Sequence, residues 1–240
     1  MCGYRERRLW RAGWALLGLF WLVLAPALAA TADIARGLTW LQGQVQADGQ
    51  LTTPSRLAMS AQAQCETAQT LLRLVGSSAQ VGRIVGTLPS TGADISTETL
   101  ACGQMLRQQQ GQVAGSNLAT RRIALGGYSA FEGMTLANPL DTGWAIAAIA
   151  SSASASDKQG LHVWLQSVQQ PDGAFRANVR SNLYTTAIVL RGLKHEVPKS
   201  TQAMQVAQKA IAYLLAQRSA TGTWGSDTAL TALAYEAVHP

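Results

Sequence analysis

Four acidic residues stand where chemistry could use them. Glu66, Glu98, Asp141 and Asp227 are each followed directly by a threonine, and each acid–threonine pair opens an apolar, alanine-rich run. Thr185-Thr186 fills the same slot without an acid. If these runs are helices lying side by side in one direction, the four carboxylates gather at one end of the array. Two carboxylates brought close together can share general acid and base work, as in glycan cleavage. A wider ring of them can hold a cationic ligand. The same placement has a plainer use, because an acid at a helix N-terminus accepts free N–H groups and complements the dipole, worth roughly 0.5–2 kcal/mol. Capping alone accounts for all four. Trp144 and Tyr184 stand beside the repeated threonines. Facing a cavity, they suit an apolar, cationic or sugar ligand; facing inward, they are core. The candidate binding set is therefore Glu66, Glu98, Asp141, Trp144, Tyr184 and Asp227, and no residue is assigned as catalytic.

The elements that must position these residues are written as a repeat. Thr67, Thr99, Thr142, Thr186 and Thr228 are separated by 32, 43, 44 and 42 residues, a period that fits one helical hairpin per unit. A second signature runs through Trp40-Leu41, Trp164-Leu165 and Tyr213-Leu214, each followed nine residues after its aromatic by Gly49, Gly173 or Gly222. Phe175 and Trp224 stand two residues past their glycines, Leu51 takes that place in the first copy, and Tyr128 behind Gly126-Gly127 marks another. The frame predicts outer helices over 32–47, 79–88, 117–125, 157–170 and 201–219. Inner helices are expected over 60–75, 96–110, 140–151, 183–195 and 226–238. Pro54, Pro89, Pro139, Pro171 and Pro198 fall between helices or at their starts, where a missing N–H costs little. "DTGWAIAAIA" is apolar or small nearly all round, as a buried helix must be, whereas "GLHVWLQSVQQPDG" has one apolar stripe and a glutamine-rich outer face. The expected fold is all-α: an α/α toroid-like arc of about five helical hairpins in inner and outer layers. Each glycine is expected as a left-handed C-cap, and Asp48 and Asp172 as turn residues without chemistry.

Gly160, Trp164-Leu165, Gln169 and Gly173-x-Phe175 resemble the Gln-Trp repeat of terpenoid cyclases and protein prenyltransferases, the prenyltransferase/squalene-oxidase repeat family. Arg36-Gly37, Trp40-Leu41 and Gly49 echo it, with Gln46 one position late, and Lys209, Tyr213-Leu214 and Gly222-x-Trp224 keep it in the last copy. The resemblance covers most of the chain after residue 30 and is weakest over 75–125. It implies an α/α toroid rather than an activity, because related toroids include cyclases, zinc-dependent prenyltransferases, thioester domains and helical glycan lyases. The residues those activities need are missing. No Asp-x-Asp-Asp run is present to protonate an alkene. The prenyltransferase Asp-x-Cys pair is absent, although Cys65, Cys102, Asp141 and His239 are ligand types and His162 and His195 fall on an outer helix and an inner helix end. In "ACGQM", Cys102 and Gln104 are two residues apart where a thioester needs three, so their side chains diverge on a helix. No metal and no cofactor is expected.

Residues 1–29 read as a secretory signal peptide. Arg5, Arg7, Arg8 and Arg11 form a basic head, Ala12 to Leu24 an apolar run, and Ala27 and Ala29 a small-residue cleavage pattern. An uncleaved membrane anchor is the alternative, since the apolar stretch almost spans a bilayer. Residues 30–240 then form a single domain, of a size that buries about 70% of its surface. Without the signal, 15 basic and 12 acidic residues remain, so the pI of 9.6 belongs largely to the signal. No basic cluster interleaved with aromatics points to nucleic acid. Cys2 leaves with the signal; Cys65 and Cys102 can bridge in an oxidising compartment, but their apolar helical setting favours two buried thiols. The chain is thus expected to be an exported, periplasmic or extracellular, terpenoid-cyclase-like repeat protein that binds an apolar, glycan or protein ligand without catalysis. The alternative is a divergent enzyme on the same fold, isoprenoid-processing or glycan-cleaving. Five hairpins leave one apolar flank open, to be covered by self-association or a further domain.

Overall fold

The structure is a computed structural model describing residues 35–52, 60–112, 117–124, 126–177, 180–194, 196–225 and 228–239. Among these residues the regular structure is helical: α1 (residues 35–43), α2 (Ser60–Val75), α3 (Ala79–Thr87), α4 (Thr97–Gln109), α5 (Pro139–Ile149), α6 (Ala155–Val168), α7 (Asn182–Leu193), α8 (Thr201–Ala216) and α9 (Thr228–Val238). The chain is all-α, as its apolar periodicity requires. Packing follows the alternation of the two helix types. Helices α2, α4, α5, α7 and α9 touch in that order, while α3 lies on α2 and α4, α6 on α5 and α8, and α8 on α7 and α9.

Composition decides which helices go inside. Helix α5 buries every residue from Pro139 to Ile146, and α7 buries Thr185 through Leu190. The two approach backbone to backbone at glycine. A Cβ on Gly192 would lie 2.3 Å from the Gly143 carbonyl oxygen, and one on Gly143 would lie 2.9 Å from the Val189 Cα. Outer helices bury one stripe, for example Ala203, Val206, Ala207, Ala210 and Leu214 on α8. N-caps are Ser78, Ser96, Asn138, Ser154, Ser181 and Ser200, each accepting a backbone N–H three residues on.

The repeated turn is a single hydrogen-bonded device built four times. Gln46, Ile123, Gln170 and Ser219 each donate their N–H to the carbonyl four residues on, and each accepts from the glycine three residues on. Those glycines, Gly49, Gly126, Gly173 and Gly222, have φ between 85° and 99°. They sit inside the turn rather than at the helix C-cap, which in α6 is Gln169. The expected left-handed C-cap is corrected accordingly. Asp48 and Asp172 each accept the N–H two residues on, as turn residues do. The residue after the turn is then tied to the following inner helix. The N–H of Tyr128 donates to the Thr142 hydroxyl, that of Phe175 to Thr186 and that of Trp224 to Thr231, at 2.8, 2.9 and 3.1 Å. The recurring threonine is therefore an anchor for the aromatic clasp. In the last copy the anchor is Thr231, a turn beyond the expected Thr228.

Two further expectations change. The outer element expected over 117–125 is only a 3-10 turn, Asn117–Arg121, with no apolar stripe to sustain a helix. It is held by the buried Arg121 guanidinium, which donates to the Gly92 and Ile95 carbonyls at 2.7 Å each. Cys65 and Cys102 are not free thiols. They form a disulfide joining α2 to α4, with Cα atoms 6.3 Å apart. An apolar helical setting does not prevent a bridge when the two helices are neighbours and the sulfurs face one another.

Candidate functional site

Inner helices α2, α7 and α9 line an open chamber of about 900 Å³ along much of their length. From α2 it takes Glu66, Gln69, Thr70 and Arg73; from the start of α7, Arg180 and Tyr184; from α9, Leu233 and Glu236. A smaller chamber of about 370 Å³ lies against it and shares Gln69, Arg73, Arg191 and Glu236. Two contacts span the space. Arg73 pairs with Glu236, linking α2 to α9, and Arg180 donates to the Gln62 side chain at 3.3 Å.

The acids singled out from the sequence do not gather round one mouth: Glu66 lines the chamber, Glu98 reaches it through Tyr184, and Asp141 is buried beside Glu98. Glu66 is exposed and lines the chamber, but it lies in the second turn of α2, too far along to cap it. Glu98 occupies the first turn of α4 and accepts the Tyr184 hydroxyl at 3.4 Å. Burial pushes its carboxyl above the ordinary value, Arg180 opposes this, and Asp141 reinforces it. Asp141 is 5% exposed, and burial likewise raises its carboxyl, against hydrogen bonds from Asn138 and from the Glu98 backbone N–H. Asp141 thus serves the neighbouring helix α4, while its own helix is capped by Asn138. The capping expectation is corrected in that respect, since Ser96 and Asn138 supply the caps. Asp227 lies outside the described residues, as does His195.

The two aromatics part company. Tyr184 lines the chamber beneath Arg180, whose guanidinium carbon is 5.6 Å from the ring centroid, and burial raises its phenol well above the ordinary value. Trp144 is 2% exposed and belongs to the core. It reaches the site only through Arg191, whose guanidinium carbon stands 4.3 Å above its ring centroid. The disulfide takes Cys65 and Cys102 out of the set of ligand types. Among the described residues, no three His, Cys, Asp or Glu gather in reach of one ion. His162 is buried, with Nδ1 3.1 Å from the Ser200 hydroxyl. No helix among the described residues is long and apolar enough to cross a membrane.

Sequence reasoning passed over the basic residues. Arg73 and Arg191 lie in the last turns of α2 and α7, where a cation reads as a complement to the helix dipole. For Arg191 the signal was its place on a helix expected to be inner and buried; Arg73 is exposed, and its place on α2 carried no such signal. Compared with known proteins, the chain matches no family model and none of the curated proteins.

Proposed function

We propose that this chain is an exported, non-catalytic binding module of the α/α-toroid type, with its ligand held in the chamber between α2, α7 and α9. The chamber carries the reading. Its 900 Å³ lies within the range of small-molecule sites, and it combines apolar walls from Leu230 and Leu233 with a few placed polar groups such as Gln69 and Tyr184. The serial packing of α2, α4, α5, α7 and α9 supports the resemblance to terpenoid-cyclase-like repeat proteins. The disulfide supports export, because such bridges persist in oxidising compartments, and so does the basic, apolar, small-residue order of residues 1–29.

The test is titration with the neutral fluorophore N-phenyl-1-naphthylamine. Its fluorescence should rise to saturation at one probe per chain. Thr70→Trp, which adds bulk at an exposed position of the chamber wall, should weaken binding severalfold at unchanged melting temperature. No saturable rise, or full affinity in Thr70→Trp, would remove the reading. One observation favours an enzyme instead: the half-buried Glu98 and the buried Asp141 are neighbouring carboxyls that burial raises, and a raised carboxyl is the form a general acid takes. Turnover of a co-purified ligand that stops in Glu98→Gln, with the fold intact, would establish that second reading over the first.

A further inference from the structure

We propose that the floor of the chamber grips the carboxylate of an amphipathic acid, and that Arg191 is the residue that holds it; this rests on the ligand-binding reading above. Charge is the first reason. The smaller chamber brings three cations, Arg73, Arg191 and Lys194, against one carboxylate, Glu236, among walls that include Leu72 and Met105. Glu236 is committed to Arg73. Burial works to raise its carboxyl, but the Arg73 hydrogen bond and charge, with Arg191 and Lys194 beside it, bring it below the ordinary value. Two cations are left without a carboxylate of their own in that chamber.

The second reason is how Arg191 is held. Its guanidinium lies over the face of Trp144, and the residue, half-buried, lines both chambers. Contact with a ring engages the face of a guanidinium and leaves its edge donors free to bond elsewhere. A carboxylate offers two acceptors in one plane at matching separation, which a point cation such as lysine would not select for. Above the floor, Tyr184, Leu230 and Leu233 offer a wall for an apolar body. Glu66 at the mouth disfavours an anion there, so the acid head is directed inward.

The experiment is displacement of bound N-phenyl-1-naphthylamine at pH 8 by dodecanoate and by dodecanol. Dodecanoate should displace the probe at about tenfold lower concentration than dodecanol, the size expected of one charge-assisted pair. Arg191→Met should abolish that preference, so that dodecanoate and dodecanol displace the probe at equal concentrations. If Arg191→Met does not fold, Arg191→Lys, which keeps the charge and loses the fork, should cut the preference severalfold. Equal displacement by both compounds in the native protein, or an undiminished preference in a folded Arg191 variant, overturns the inference and leaves ligand binding standing. Failure of the fluorophore to bind at all removes the ligand-binding reading itself.

Discussion

The threonines at the heads of the inner helices show how a single hydroxyl can organise a repeat. Thr142 and Thr186 are fully buried, and each accepts the N–H of an aromatic residue that has just left the glycine turn. That N–H has no ladder or helix partner to fall back on. Thr186→Val keeps the volume and the β-branch but leaves the Phe175 N–H buried and unsatisfied, so it should destabilise by about 1–3 kcal/mol. Chemical denaturation of the purified variant measures this directly. A loss below a few tenths would mean the turn is held by Phe175 packing alone. Nearby, Gln169 donates to the Gly173 and Val206 carbonyls at 3.0 Å each, tying the same turn to α8. The Trp164–Gln169–Gly173–Phe175 pattern is therefore a set of tethers between turn, inner helix and next outer helix.

Between elements, the glycines set the approach distances. Gly49 and Gly173 bring their turns against the backbone of α3 and α8, where a Cβ would meet the Arg83 or Lys209 carbonyl oxygen at 2.4 or 2.2 Å. Gly126 and Gly127 play this part for α6, under the Trp164 ring. The tightest helix pair is α5 with α7. Gly192→Ala would press a methyl group into the backbone of Gly143, with no flexible side chain to give way. Overpacking of this kind costs about 1–3 kcal/mol, so the variant should melt several degrees lower, with its helical circular dichroism intact below the transition. An unchanged melt would show that α5 and α7 can slide apart freely. The 3-10 turn Asn117–Arg121 illustrates the opposite case, in which one buried arginine and its carbonyl partners replace a helix the repeat led one to expect.

Over the whole molecule, the disulfide and the Arg73–Glu236 pair divide the labour of holding the inner helices together. Cys65–Cys102 staples α2 to α4, and the Gln69 amide donates to both sulfurs at 3.3 Å while also lining the chamber. The bridge closes a loop between cysteines 37 positions apart. Losing it should cost about 2–5 kcal/mol, read as a lower melting temperature in dithiothreitol and in the Cys65→Ala/Cys102→Ala double variant alike. Equal melting with and without reductant would show that helix packing alone carries the first repeat. At the other end, α8 carries Met204, Ile211 and Leu215 on the side opposite its contacts with α6, with Met204 and Leu215 exposed. Trp40 of α1, the counterpart of Trp164, is 64% exposed.

Much of this was legible in the chain because repeats constrain one another. Helix type follows from local periodicity, and the copies of Trp-Leu, glycine and threonine made the hairpin frame readable before any contact was known. Helix α2 starts and ends at the expected residues, 60 and 75. Local pattern could not say which acids would share one environment, since Glu98 and Asp141 are 43 positions apart and meet only because α4 packs on α5. Nor could it pair Cys65 with Cys102, or show that Arg191 would lie on Trp144. Those outcomes depend on which helix faces meet and how closely, and that distance is set by side-chain volumes and glycines on two elements at once. The sequence by itself determined most of the helices and the spacing of the residues that recur in them; tertiary packing decided which helix faces meet and which charges line the chamber between them.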